Sequence, residues 1–418
     1  MDENKRKLNR GNKGRIIDLQ PALEEKERAE RAEEKRRAKA ERPPLKKRIL
    51  SLLLVLIIVL AAVVLTVYWD RINFDAIRRG VSYIGTEQDA AGQTAAFEYE
   101  KRTEGTFSSF GKYLLYVSNQ EAVVYDYSGN ILFQTDVQLE APALDVGGGA
   151  AVAYDIGGSN LVVFDERKEK LRLPLEDGLG IYSATLNQSG WLAVTSQKQN
   201  QKGCVTVYNQ NMDKVFEYDA STRFVVNAYV SEDCRYMIAH TLGQEEGTFV
   251  SQMVVYRLDS EEQYAEFAIE DAMVLSIGSI NNQTLCIADN QAVIASSGGQ
   301  VNATYDYAQS YLREYSDEGD GFAVLALNRY RAGTNGRLVT LGADGTAIGE
   351  LEISDEILDL SAAGRYIAVL YADRLVIYNR DLTEYAVFDQ PAMAESARMR
   401  SDGSVWLISS REISLLIP

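Results

Sequence analysis

The chain has 418 residues, with 43 Lys and Arg against 60 Asp and Glu, a single histidine and three cysteines, for a net charge of −17. One histidine excludes a polyhistidine metal centre, and three cysteines exclude a dense disulfide framework. The length suffices for a large core, but the acidic balance lacks the cationic face that a nucleic-acid partner requires.

Residues 1–48 form a tail with 17 Lys and Arg against 10 Asp and Glu, a charge of +7 that leaves −24 on the remainder. ALEEKERAERAEEKRRAKAER, Ala22 to Arg42, places Glu24, Glu27 and Glu33 four residues before Arg28, Arg31 and Arg37. Such pairs support an exposed helix. No apolar heptad runs through it, so the reading is a solvated helix, with docking to a cytosolic partner as the alternative.

Ile49 to Tyr68 reads ILSLLLVLIIVLAAVVLTVY. At about 1.5 Å per residue it spans roughly 30 Å, a bilayer core, and Tyr68 with Trp69 fits an interfacial belt. A cleaved secretory signal would have a shorter apolar region behind a shorter leader, so residues 49–69 are expected to be an uncleaved transmembrane signal anchor. Lys35, Arg36, Arg37, Lys39, Arg42, Lys46, Lys47 and Arg48 precede the span, against Arg71, Arg78 and Arg79 after it. The positive-inside bias then keeps the tail cytoplasmic and exports the rest, giving a cell-membrane protein with an extracellular C-terminal domain. Within 70–94, Phe74, Ile77, Val81 and Ile84 lie at helical intervals, and Thr86 to Thr94 reads as a linker.

From residue 95 the chain repeats itself. GKYLLYVSNQEAVVYD (Gly111 to Asp126) can be laid without a gap on GRYIAVLYADRLVIYN (Gly364 to Asn379), and looser copies fill the interval. Each copy is two short apolar runs bounded by turn formers, hence a hairpin. The second runs end at Tyr125, Phe164, Tyr208, Tyr256, Ala295, Leu341, Tyr378 and Leu416, a period near 40 residues. That period, made of strands, predicts an all-β fold, an eight-bladed β-propeller over 95–418 with each hairpin at the middle of a four-stranded blade. Seven blades with one irregular insertion is the alternative. ISLLIP ends at Pro418 with no residues left for an outer strand, so AAFEYEK (Ala95 to Lys101) is expected to complete the last blade and close the ring.

Chemical signals are sparse. His240 lies inside the apolar run YMIAHTL, which predicts a packed or channel-facing side chain rather than a triad or a metal ligand. Cys204, Cys234 and Cys286 fall in successive repeats, too far apart for disulfides, and read as small buried residues. Sequons stand at Asn187, Asn282 and Asn302. The densest acidic turn, SDEGDG from Ser316 to Gly321, lacks the frame of a calcium loop and reads as a β-turn; no metal or cofactor is expected. Two carboxylates converging on the channel would suit glycosidic chemistry, but no spacing singles out a pair. Loops between second and third strands share one face, and three are long, beginning at Ser196, Gly243 and Asn328. The last holds Arg329, Tyr330 and Arg331, a cationic and aromatic cluster in an acidic domain and the candidate binding site.

The hairpin starts SFGKYLLY, QSGWLAV, EDCRYMIA, AAGRYIAV and SDGSVWLI resemble the Ser-Pro-Asp-Gly-Lys start of Tol-type and WD-like propeller repeats. The Gly-His to Trp-Asp pairing, the Asp-box order and the Thr-Gly and Trp frame of quinoprotein repeats are absent, so the resemblance lends no support to quinone binding. As a whole, the chain is similar to single-pass, membrane-anchored propeller proteins of Gram-positive bacteria, a resemblance that implies no catalytic residues. The expected function is an extracytoplasmic scaffold for a protein or a cell-wall polymer. The alternatives are a hydrolase or lyase using channel carboxylates and a ligand sensor.

Overall fold

A computed structural model describes residues 26–35, 53–57, 59–60, 79, 83, 92–94, 96–99, 105–174, 179–245, 248–389 and 393–418. The chain divides into two compact units, Met1–Phe74 and Asp75–Pro418. In the first, residues 26–35 are helical and Glu27 pairs with Arg31 at 3.6 Å, one of the three spacings read from the tail. Residues 53–57 and 59–60 of the expected membrane span are helical, and the rest of that span lies outside the described residues. Among the described residues no helix is long and apolar enough to cross a membrane.

The second unit is a ring of eight four-stranded antiparallel sheets among the described residues, so the expected eight blades hold over the seven-bladed alternative. The first blade runs Gly105–Phe110, Tyr113–Ser118, Glu121–Tyr125 and Ile131–Asp136, with the repeated hairpin at its middle. Each first strand neighbours the first strand of the next blade, and the circle closes between Gly105–Phe110 and Ala394–Met399. The eighth blade takes its outer strand from the start of the domain: Phe97 and Glu98 pair with Ile413 and Glu412. The pairing begins earlier than the linker reading allowed, since Gln93 bridges Leu416 and the Thr94 amide donates to the Leu415 carbonyl. This closure leaves the circle of blades no free end to add to another chain.

Physical necessity explains the repeat. A four-stranded blade has two apolar faces, and each must be covered by a neighbour. Every core cluster accordingly joins two adjacent blades; one packs Phe110, Leu115 and Val124 of the first against Ala151, Val162 and Phe164 of the second. In seven blades the repeat anchor marks a bulge, where the register to the fourth strand shifts by one residue, as between Val124 and Tyr125. Bulges increase local twist, which suits the splayed outer edge of a blade. The glycine of the repeat turns the first strand into the second: Gly111 and Gly364 have φ of 60° and 58°. Cys234 occupies the same place in the fourth blade at φ 55°, a left-handed conformation costly for a residue with a Cβ.

Antiparallel order gives the ring two faces. Turns between first and second strands and between third and fourth lie on one, here the turn face. Loops between second and third strands and the links between blades lie on the other, the loop face.

Candidate functional site

First strands and their turns from all eight blades line a central cavity of about 1290 Å³ that opens on the turn face. Polar side chains of these strands bond across to the adjacent blade. The Asp145 carboxylate accepts from the Leu186 amide at 2.7 Å, and Asp317 accepts from the Ser276 hydroxyl at 3.0 Å. The Ala362 amide donates to Ser316 Oγ, the Met399 amide to Ser361 Oγ, and the Ala397 amide to Asp359 at 2.7 Å. The Arg398 guanidinium completes the last contact, bonding Asp359 and the Phe107 carbonyl. These groups act as staples between blades, satisfying polar atoms that the lumen would otherwise leave poorly hydrated.

Burial pushes the Asp145 carboxyl up to about 7, against its bonds from Leu186 and Val146 and with the Asp317 charge adding to the rise. Burial likewise raises Asp317. Glu318 is raised to about 7 by burial and then by the charges of Asp317 and Asp145, with Arg398 opposing. Its open surface faces the lumen, and it makes no hydrogen bond or ion pair among the described residues. Blades two and six stand opposite in an eight-membered ring, so Asp145 and the Asp317–Glu318 pair approach from two sides. The acidic stretch read as a β-turn is instead strand through Gly319, with the turn only at Asp320 and Gly321, and this puts two carboxylates into the channel; Asp145, inside an unremarkable strand, carries no sequence signal.

The segment before the ring reaches the turn face. Buried Arg79 bonds the Asp402 carbonyl and the Tyr385 hydroxyl, and its own carbonyl accepts from the Tyr83 amide. The Tyr83 hydroxyl donates to Asp402 at 3.0 Å, its ring meets Tyr127 edge-on, and it bonds Arg400, a residue that lines the cavity. The apolar positions expected to face a surface here, Phe74, Ile77, Val81 and Ile84, lie outside the described residues.

Other singled-out residues separate. His240 is packed in the fourth blade, where burial lowers it to about 4 and keeps it neutral. The cysteines are free; Cys204 and Cys286 are buried, but Cys234 is half-buried in its turn, a departure from the expectation for all three. Asn187 is buried and donates to the Ser231 carbonyl, so that sequon is closed to modification in the folded ring. Cys204, Glu217 and Asp219 offer metal-ligating atoms within 4.8 Å of one another. The cation they hold is the Lys198 ammonium, 2.6 Å from Glu217 and 2.7 Å from Asp219.

On the loop face, Arg329, Tyr330 and Arg331 stand exposed in the loop between Phe322–Asn328 and Gly336–Gly342, with Tyr330 62% open. Asn328 Nδ2 donates to the Gly333 carbonyl, and the Arg329 backbone amide to that of Asn335, which shape the loop. The stretch from Gly243, read as a loop, is instead a prolongation of the hairpin: Gly243 pairs with Val250 and Glu245 with Thr248. Alternating Thr and Val with aromatic Phe249 favours a strand over a coil. Around the channel on this face, exposed apolar side chains stand at or next to the start of the first strands of blades three to eight: Tyr182, Phe224, Leu275, Tyr311, Leu358 and Met393.

A closed ring of four-stranded blades with a central channel defines a β-propeller of WD40-like architecture. It is similar to the C-terminal WD40 domain of Sif2 (13% identity, TM-score 0.56, covering 78% of this chain and 98% of that one) and to the computationally designed Ika8 protein (12%, 0.53, 80% and 98%). BamB from Moraxella catarrhalis is 11% identical, with a TM-score of 0.49 over 77% of this chain and 96% of that one. Such identities speak for the fold alone. The chain belongs to a family of unknown function, DUF5711, which matches residues 88–394. No curated protein matches the sequence.

Proposed function

We propose that this protein is a single-pass, membrane-anchored propeller of the bacterial envelope, displayed outside the cytoplasm, that works as a scaffold binding a protein partner on its loop face. The observation that carries the reading is the contrast in exposure: apolar and aromatic side chains encircle the loop-face mouth of the channel in six successive blades. A soluble surface seldom gathers such side chains without a partner to cover them. The turn face is already occupied in part by Arg79 and Tyr83. The anchor rests on the largely apolar 20-residue stretch from Ile49 and the cations before it.

Photo-crosslinkers at Phe249 and Met393, used in intact cells at native abundance, test the reading together with protease accessibility of the propeller. Reproducible capture of the same extracytoplasmic protein from both positions, with the propeller cleavable from outside, supports it. A propeller shielded from external protease overturns the topology, and no capture from either position overturns the scaffold.

A second reading, an extracytoplasmic hydrolase or lyase, is favoured by Glu318, a free channel carboxyl raised to about 7 that suits a general acid. Its neighbours Asp145 and Asp317 already accept bonds from adjacent blades, which weakens the case for a second catalytic carboxylate. Activity on a glycan panel, falling on the basic side of pH 7 and lost in Glu318→Gln, would favour this reading over the scaffold.

A further inference from the structure

We propose that the cleft between the sixth and seventh blades on the loop face is the docking site for an acidic peptide segment of the partner. The inference deepens the scaffold reading and rests on it. The cleft, of about 280 Å³, is lined by Arg313, Asn328, Arg331, Ile353, Glu356 and Ile357 among others. Arg313 is the extra residue of a bulge: Leu312 pairs with Leu327 and Glu314 with Ala326, so Arg313 steps out of the strand's alternation. Bulges re-aim side chains in this way. Arg331 comes from the loop whose shape Asn328 and Arg329 hold.

Charge decides what fits. The chain beyond residue 48 carries −24, and many cations of the ring are matched within it, as in Arg172 with Glu169, Lys198 with Asp219 and Arg398 with Asp359. Arg313, Arg329 and Arg331 make no ion pair among the described residues. Asp355, which also lines the cleft, is held by Arg374 at 2.6 Å rather than by Arg313 or Arg331, and Arg313 feels the charge of its neighbour Glu314. A guanidinium fork suits a carboxylate, which it binds through two parallel bonds.

Glu356 selects between anionic partners. It also lines the cleft and makes no hydrogen bond among the described residues, so a uniform polyanion such as a wall phosphate polymer meets repulsion beside the arginines. A peptide supplies both halves, with side-chain carboxylates for Arg313 and Arg331 and backbone N–H donors for Glu356. Ile353 and Ile357 offer apolar lining, and exposed Tyr311 and Tyr330, close in the chain to Arg313 and Arg331, are the anchors offered to an apolar neighbour in the peptide.

The test uses full-length protein in detergent micelles and three fluorescent probes: hexapeptides carrying Asp-Glu between Leu and Phe, the same peptides with Asn-Gln, and a poly(glycerol phosphate) chain of six phosphates. The acidic peptide is expected to bind at least about tenfold tighter than either other probe, and Arg313→Ala with Arg331→Ala to weaken it by about tenfold or more. Both arginines are exposed, so the melting temperature should not move; Arg313→Lys with Arg331→Lys, which keeps charge but not the fork, gives an intermediate affinity and serves if the alanine pair misfolds. Equal binding of acidic and amide peptides, or an unaffected double variant, overturns the proposal. Tighter binding of the phosphate chain overturns it in favour of a wall polymer. Capture from Phe249 in cells that survives the double variant sinks the cleft and spares the scaffold, whereas loss of all capture in the wild type sinks the scaffold itself.

Discussion

Charge is used in opposite ways along the channel and in the cleft between the sixth and seventh blades. Among the first strands and their turns, Asp145, Asp317, Asp359, Arg398 and Arg400 are spent on neighbouring blades or on Tyr83. On the loop face, Arg313, Arg329 and Arg331 make no ion pair among the described residues, beside exposed Tyr311 and Tyr330. A polar group removed from water must find its partner inside the protein, so the first set serves stability; an exposed group is already satisfied by water and remains available to a ligand. Substitutions of the bonded channel residues should therefore alter folding, and substitutions of the exposed residues at the cleft only recognition.

The largest effect expected is from Arg400→Ala. Arg400 is buried, pairs with Asp402 at 3.8 Å, bonds Ser404 at 2.9 Å and lies over Trp406. Its loss removes the cation beside half-buried Asp402 and the buried bond to Ser404, and should cost about 2 kcal/mol, read by urea denaturation. A cost below about 1 kcal/mol would break the distinction between channel and cleft at its strongest point.

Next comes Asp145→Asn, whose effect depends on pH. With its folded value at about 7 against an ordinary 3.8, Asp145 keeps a proton in the native state that the unfolded chain releases. The native state binds more protons across that interval, so this group's contribution to stability falls as pH rises from about 4 to 7. Asparagine removes the slope while its amide oxygen still accepts from Leu186. The variant should therefore gain on the wild type by at least about 1 kcal/mol between pH 4.5 and 8, after allowing for water in the lumen. Parallel melting curves at both pH values check this.

A smaller change, of opposite sign, is expected at Cys234. Glycine there relieves a left-handed backbone at φ 55° and should stabilise by about 1 kcal/mol, visible as a rise in melting temperature. Smallest of all, Tyr330→Ala should leave stability within about 0.5 kcal/mol. The same substitution should reduce capture of the acidic peptide, which separates recognition from folding at a single exposed ring.

Much of the architecture was legible because the hairpin is a local unit with a local code. Gly111 and Gly364 mark left-handed turns, apolar runs mark the paired strands, and the recurrence at about 40 residues marks blades that need neighbours on both sides. The missing outer strand at Pro418 even predicted that Phe97 and its neighbours would close the ring. The hairpin tip after Gly243 misled because glycine and glutamate suggest a loop, although the strands simply continue. The loop-face cluster at Arg329 was visible as an oddity of charge, but its companions Arg313 and Ile357 were not, since they belong to other strands.

What the sequence determined by itself was everything governed by nearest neighbours: strand, turn, repeat length, blade number and the single apolar segment at Ile49–Tyr68. Tertiary structure decided which carboxylates meet in the channel and which arginines stay unpaired. Asp145 and Asp317 interact only because closing an eight-membered ring sets blades two and six across one lumen. Their solvation, and hence their protonation, is a property of the enclosed space between them, which no stretch of chain encodes alone.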